Sequence, residues 1–363
     1  MNRVRLLTPG PVELHPRARL ALAGPQVHHR TEPAREAFRA VRRGLAAAFG
    51  TEGEVLLLTA SGTGAMEALV GGLFAPGERV AVPVSGKFSE RWAEIAGALG
   101  LEVARGDLPW GQPLTPEEVL GLMAPGTRGV LLTHSETSTG VLNPLAEIAA
   151  AVRAAHPDAL IVVDAVTSLF LAPLALDALG VDAALAGSQK GLMLPPGLAF
   201  VALGSRAQAR LRPYGYYLNL DRERRVQEKG ESAFTPAINL VLAARAVLEE
   251  LLPDLDAHLK RKRAYLERLY AIGEGAGLRP VPAREGVPAP MELRTPATAA
   301  FHLPEGLPFE AVRDAFLARG ARIAGGQGAL KGRSFRISLM GHYPGPEADW
   351  AFGVFREVLA ELL

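Results

Sequence analysis

The sequence predicts an α/β fold: a mainly parallel sheet sandwiched by helices, with a smaller α+β domain at the C-terminal end. Three observations predict it. Short β-branched runs alternate with Ala/Leu/Glu-rich helical stretches through the middle of the chain, and strands separated by helices of that length pair in parallel under helical cover. At 363 residues the chain is too long for one compact core and suits two domains. Near residue 240 the alternation gives way to long helical segments and then to a β-α-β-β-α order.

The elements follow in chain order. EVLLLTA (54–60) reads as a strand, and SGTGAMEALVGGLF as a turn entering a helix. RVAVPV (79–84) is strand-like, followed by KFSERWAEIAGALG, a helix ended by Gly100. LEVARGD (101–107), GVLLTHS (129–135) and ALIVVDAV (159–166) are strand-like. Between the last two, PLAEIAAAVRAAH is a helix with Pro144 at its start and Pro157 after its end. LVLAARAVLEELLPDLDAHLKRKRAYLERLYAIGEGAG is helical with an interruption at Pro253. ATAAFHL, the helix PFEAVRDAFLARG, ARIAGG, SFRISLM and a final helix complete the small domain.

Composition narrows the function. The apolar share is 48%, so a sizeable core can form, and the net charge of +1 comes without a basic block or acidic tail. Neither nucleic acid nor an anionic membrane is expected as the main partner. The chain has no cysteine, which rules out disulfides, thiolate catalysis and Cys-based zinc sites. Pro9 and Pro11 break MNRVRLLTPGPVEL before a signal-like apolar stretch develops. The most apolar region, Leu160 to Ala186, is interrupted by Asp164, Pro173, Asp177 and Asp182 and is not a membrane span. A soluble cytoplasmic protein is expected. Lysine is scarce, six of the 39 basic residues, which hints at a hot or GC-rich source.

Parallel sheets bind ligands beyond the carboxyl ends of their strands. Four such ends gather polar groups. Ser61-Gly62-Thr63-Gly64 opens a helix, where backbone N–H groups can hold a phosphate; the same residues also suit a plain N-cap and tight turn. Asp164 ends a buried strand and needs a cation or hydrogen-bond donors, or else caps the next turn. Val166 shares its face by alternation. Lys190 stands in LAGSQKGLMLPPGLAFVAL among small and apolar residues. It is either a lysine snorkelling at the sheet edge or an amine that loses its charge easily and acts as a nucleophile. HSETSTG (134–140) is a hydroxyl-rich loop after a strand, an ordinary turn when taken alone. Together the four ask for a ligand with a phosphate, a cationic ring nitrogen and an aldehyde. Pyridoxal 5′-phosphate has all three, and Lys190 is then its internal Schiff-base lysine.

At this point the chain resembles a class V aminotransferase of the PLP fold-type I superfamily. It is most similar to the alanine–glyoxylate, serine–glyoxylate and serine–pyruvate group. The likeness runs through LLTPGPVELHP, TASGTGAMEA, GKFSERW, HSETSTGVLNP, VVDAVTS, GSQKGLMLPPGLAFVAL and AGGQGALKGRSFRISLMG. It implies a seven-stranded sheet in a large PLP-binding domain over 16–250, and a small domain formed by 1–15 with 251–363. By the resemblance Lys190 carries the cofactor and shuttles the proton, and Asp164 pairs with the pyridine nitrogen. Ser61, Gly62, Thr63 and Gln189 hold the phosphate. Phe88 stacks on one ring face, Val166 presses on the other, and Thr137 bonds near the ring. Arg336 binds the substrate α-carboxylate in a bidentate fork, and Gly10 lines the substrate pocket through its backbone.

The resemblance also implies a homodimer with the active site at the subunit interface. The segment GESAFTPAIN resembles the one that reaches a neighbouring subunit's phosphate, with Ser232 or Thr235 as donor; the tyrosine that animal relatives carry a few residues before the threonine is missing here. His28-His29 is not expected to bind metal, because no further ligands stand at suitable spacing. The implied reaction moves an amino group from alanine, serine or aspartate to a 2-oxo acid such as glyoxylate or pyruvate, by a ping-pong course. Alternatives on the same fold are a lyase or hydrolase and a non-catalytic PLP-binding regulator. Cysteine desulfurases share the fold but need a catalytic cysteine.

Overall fold

A computed structural model describes residues 4–363. The large sheet has seven strands: β1 (Glu54–Leu58), β2 (Arg79–Val84), β3 (Glu102–Asp107), β4 (Gly129–Thr133), β5 (Leu160–Asp164), β6 (Ala183–Gly187) and β7 (Ala199–Leu203). Their spatial order is β1-β7-β6-β5-β4-β2-β3. Only β7 runs antiparallel, to both β1 and β6. β1 to β6 therefore all point one way, and their carboxyl ends share one edge. Every residue of β4, β5, β6 and β7 is buried, as expected for strands covered on both faces. Alternation splits β5 cleanly. Ile161 and Val163 join the core on one face, Leu160 and Val162 the core on the other. Asp164 continues the second set, and Val166 packs on that same core.

Helices α1 (Pro16–Leu22) and α2 (Glu32–Phe49) precede the sheet, and α3 (Gly62–Leu73) and α4 (Lys87–Ala98) follow β1 and β2. Beyond the sheet, α5 (Ile238–Leu251) packs on α1 and α2. A 3-10 turn at Leu252–Asp254, where Pro253 sits, separates it from α6 (Leu255–Gly275). α6 then turns to a different core shared with Phe301, Phe335 and Phe355.

The C-terminal part differs from the expected strand order in one respect. ARIAGG is not one strand. Ala324–Gly325 joins a three-stranded antiparallel sheet with Ser334–Ile337 and Ala299–His302, whereas Ala321–Arg322 pairs in parallel with Arg5–Leu6. Ile323, between the two pieces, is buried in the third core. GVLLTHS also ends early, at Thr133, because the Asn143 amide donates to the Thr133 carbonyl at 2.7 Å and Ser135–Glu136 pairs with Val141–Leu142.

Candidate active site

The shared carboxyl edge brings Asp164, Lys190 and Arg336 into one electrostatic neighbourhood. Lys190 leaves β6 on a short turn and is buried. Its Nζ donates to the Pro9 carbonyl at 2.6 Å, and it has no ion-pair partner among the described residues. Burial, with Arg336 nearby, pushes its pKa down to about 8, while Asp164 pulls the other way. The neighbour at Gly10 shows how tightly this amine is held. A Cβ built there would lie 2.5 Å from Nζ, and the backbone has φ +125°, a region that disfavours side chains.

Asp164 is 4% exposed, and its Oδ1 accepts the Val166 N–H at 2.8 Å. The turn-capping alternative is thus real, but one N–H does not offset burial. The carboxyl is pushed up to about 7, chiefly by desolvation, with Glu136 adding to the rise and Arg91 and Lys190 opposing it. This is a carboxylate in want of a cation.

Arg336 is 4% exposed and spends its donors on backbone carbonyls: Gly325 twice, at 2.8 and 3.1 Å, and Thr137 at 3.0 Å. No carboxylate pairs with it among the described residues. The hydroxyl of Thr137 is buried and without a hydrogen-bond partner. Ser61 caps α3, accepting from the Gly64 N–H at 3.4 Å. The Gly62 and Thr63 N–H groups stand in the first turn, where no intrahelical acceptor exists. Gly62 lies so close to Val166 that a Cβ there would come within 3.0 Å of its Cγ2. Gln189 is half-buried with its amide against Gly187.

Two residues that the sequence did not single out belong to this group. Glu136, fully buried inside HSETSTG, accepts from the Phe88 N–H at 3.1 Å, the Ser89 N–H at 2.9 Å and the Ser138 hydroxyl at 2.6 Å. A carboxylate so placed caps α4 and complements its dipole, which fixes the position of Phe88. Arg91 donates to the Thr63 hydroxyl at 3.2 Å and stands 5.2 Å over the Phe88 ring. The signal for it was available: Arg91 lies three positions after Phe88, on the same helix face.

Ser232 and Thr235 stand apart. The Ser232 hydroxyl is tied to Glu223 at 3.2 Å, Thr235 is exposed, and the segment is anchored by the Ala237 N–H on the Thr59 hydroxyl at 3.0 Å. His28 and His29 stack at 4.7 Å. Among the described residues no group of His, Cys, Asp and Glu could hold a metal.

A free first turn, an orphan hydroxyl, a carboxylate lacking a cation and a buried unpaired amine fit pyridoxal phosphate group by group. The sequence model of the class V aminotransferases matches residues 18–283. The chain belongs to this family. Its cofactor is pyridoxal phosphate and its activity is that of a transaminase. It is similar to a crystal structure of an aspartate aminotransferase of subgroup IV from Thermus thermophilus, 59% identical with a TM-score of 0.94, covering 99% of this chain and 100% of that one. A crystal structure of alanine–glyoxylate aminotransferase from Nostoc sp. is 29% identical with a TM-score of 0.89, covering 99% and 96%. A curated relative named "Soluble hydrogenase, small subunit", from a Synechococcus strain, is 36% identical over 99% of this chain and 94% of its own. The fold of this aminotransferase is thus the PLP fold type I that the sequence predicts, with the small C-terminal α+β domain. No helix among the described residues is long and apolar enough to cross a membrane.

Proposed function

We propose that this transaminase takes the amino group of a small amino acid, with aspartate the first donor to test, and passes it to glyoxylate or pyruvate. The observation that carries the reading is Arg336: a buried guanidinium that binds only carbonyls, within electrostatic reach of the Lys190 amine. A substrate carboxylate is the partner such a group lacks. Aspartate comes first because the Thermus enzyme bears that name, and glyoxylate because the Nostoc enzyme does.

When bound, pyridoxal phosphate supplies an aldehyde for amines and a cationic ring that accepts electrons from substrate Cα. The chain's own residues do the rest. Lys190 would hold the aldehyde through Nζ, and the freed amine would move the proton from the substrate Cα to the former aldehyde carbon. Asp164 would pair with the ring nitrogen and keep it protonated. Phe88, held by Glu136, and Val166 would hold the ring, and the Thr137 hydroxyl would be free to donate to it. Ser61, the Gly62 and Thr63 N–H groups and Gln189 bind the phosphate. All of these are neutral, so Arg91, already at Thr63, contributes the positive charge that a dianion calls for. Arg336 orients the substrate so that its Cα–H faces Lys190. Gly10 leaves room for that amine. In a homodimer the exposed Thr235 reaches the partner's phosphate, whereas Ser232 is spent on Glu223.

The test is a half-reaction screen. Each amino acid is mixed with the cofactor-loaded enzyme and the decay of its long-wavelength absorbance is followed. Aspartate, alanine and serine are expected to drive the decay, and an Arg336→Ala variant to lose it at equal concentration. No decay with any small amino acid refutes the reading.

A further inference from the structure

A cavity of about 410 Å³ opens where the end of α5, the start of α6, His15 and the loop at 342–345 meet. None of the proposed cofactor or substrate residues lines it. Lys262, His258 and His15 are buried in its wall, with His342 half-buried beside them, while Arg261, Glu250 and Asp254 stand exposed at the mouth.

Lys262 Nζ donates to the Leu339 carbonyl at 3.0 Å and to Gly341 at 2.6 Å, which leaves one N–H of its ammonium form; burial, with Arg261 nearby, pushes its pKa down to about 7. It has no ion-pair partner among the described residues. His258 is 3% exposed, and Arg261 Nη2 lies 3.3 Å from its Nδ1. A guanidinium can only donate, so Nδ1 accepts and the neutral ring carries its proton on Nε2. That Nε2 lies by the Phe170 carbonyl without a well-formed hydrogen bond. Burial beside Lys262 and Arg261 keeps the ring uncharged, its pKa pushed down to about 3. Glu250 is already paired with Arg17 at 3.1 Å and His15 at 3.4 Å. Lys262, His258 and Arg261 therefore line one space, and the Lys262 ammonium has an N–H left for a ligand there. The three imidazoles do not form a metal set with their neighbours.

We propose that this cavity binds a small oxoanion, a phosphate or carboxylate group that accepts from Lys262 Nζ, with Arg261 closing over it. The placement gives the ligand leverage. Met193 forms part of the wall; its N–H donates to the Lys190 carbonyl at 2.8 Å and its carbonyl accepts from the His15 N–H at 3.0 Å. Leu339 and Gly341, which hold Lys262, follow Arg336 in sequence. The occupant thus ties the turn bearing Lys190 to the segment bearing Arg336.

The experiment is calorimetric titration of the holoenzyme at constant ionic strength, with inorganic phosphate in one arm and succinate in the other. Saturable binding in either arm is expected, and the tighter arm names the source of the oxoanion. Lys262→Met abolishes it. Arg261→Ala, an exposed position that folding tolerates, weakens it at least about tenfold by removing a charged hydrogen bond. Arg336→Ala leaves it in place, which separates the cavity from the active site. The proposal is overturned by no saturable heat in either arm through the millimolar range, by unchanged affinity in Arg261→Ala, or by binding that disappears with Arg336→Ala. Where Lys262→Met does not fold, the Arg261→Ala affinity decides alone.

Discussion

Replacing Asp164 by asparagine should make the cofactor-free protein more stable and the loaded enzyme worse. The carboxyl rises from an ordinary 3.8 to about 7 in the folded chain because it is buried. A folded pKa above the unfolded one means that folding opposes ionisation. The penalty is absent below pH 4, grows as pH climbs, and is complete above 7. A shift of about three units corresponds to at most about 4 kcal/mol. Asparagine has no charge to bury, and its Oδ1 can keep the Val166 N–H bond. Urea melts of cofactor-free Asp164→Asn and parent at pH 8 should show the variant more stable by up to that amount, with the gap closing by pH 4. Cofactor affinity should move the opposite way, because the ring nitrogen loses its buried counter-charge, a loss of about 3–5 kcal/mol. Equal stability at pH 8, or a gap that ignores pH, would refute the idea that this carboxylate is held in strain for a cationic ligand.

Three further outcomes are expected. Gly10→Ala places a Cβ on the Lys190 amine, and a displacement of about 1 Å there should lower kcat about a hundredfold, read in steady-state turnover with the fold checked by circular dichroism. Arg91→Gln should weaken cofactor binding about tenfold and flatten the dependence of that Kd on salt, measured by fluorescence titration of the cofactor-free enzyme; an unchanged salt slope would remove Arg91 from the phosphate site. Mixing inactive Lys190→Ala with Thr235→Ala should restore turnover, since a mixed dimer contains one site with both residues if Thr235 serves its neighbour; no rescue would place Thr235 outside the partner's site.

Much of this was readable in the sequence because burial writes itself as apolar context. Asp164 and Lys190 stand out where the surrounding runs admit no water, and the strand ends at 58, 164 and 187 place them on one edge. Glu136 was not readable, because a charge in a polar loop has the same local signature whether it is buried or solvated. Only the fold decides that Glu136 lies under the first turn of α4. The break in ARIAGG has a non-local cause as well: Ala321–Arg322 is claimed by Arg5–Leu6, from the far end of the chain. Ser61 shows that two readings of a motif need not compete, for the N-cap and the proposed phosphate cradle use different groups of the same turn.

That pairing at Arg5–Leu6 also sets a timetable. The carbonyl that receives the Lys190 amine belongs to Pro9, just after it. The Arg5–Leu6 segment must wait, without this partner, until one translated more than three hundred residues after it leaves the ribosome. The reactive amine therefore reaches its seat only after Ala321–Arg322 has been made, and a product truncated before it with a complete large sheet would still lack a finished place for it.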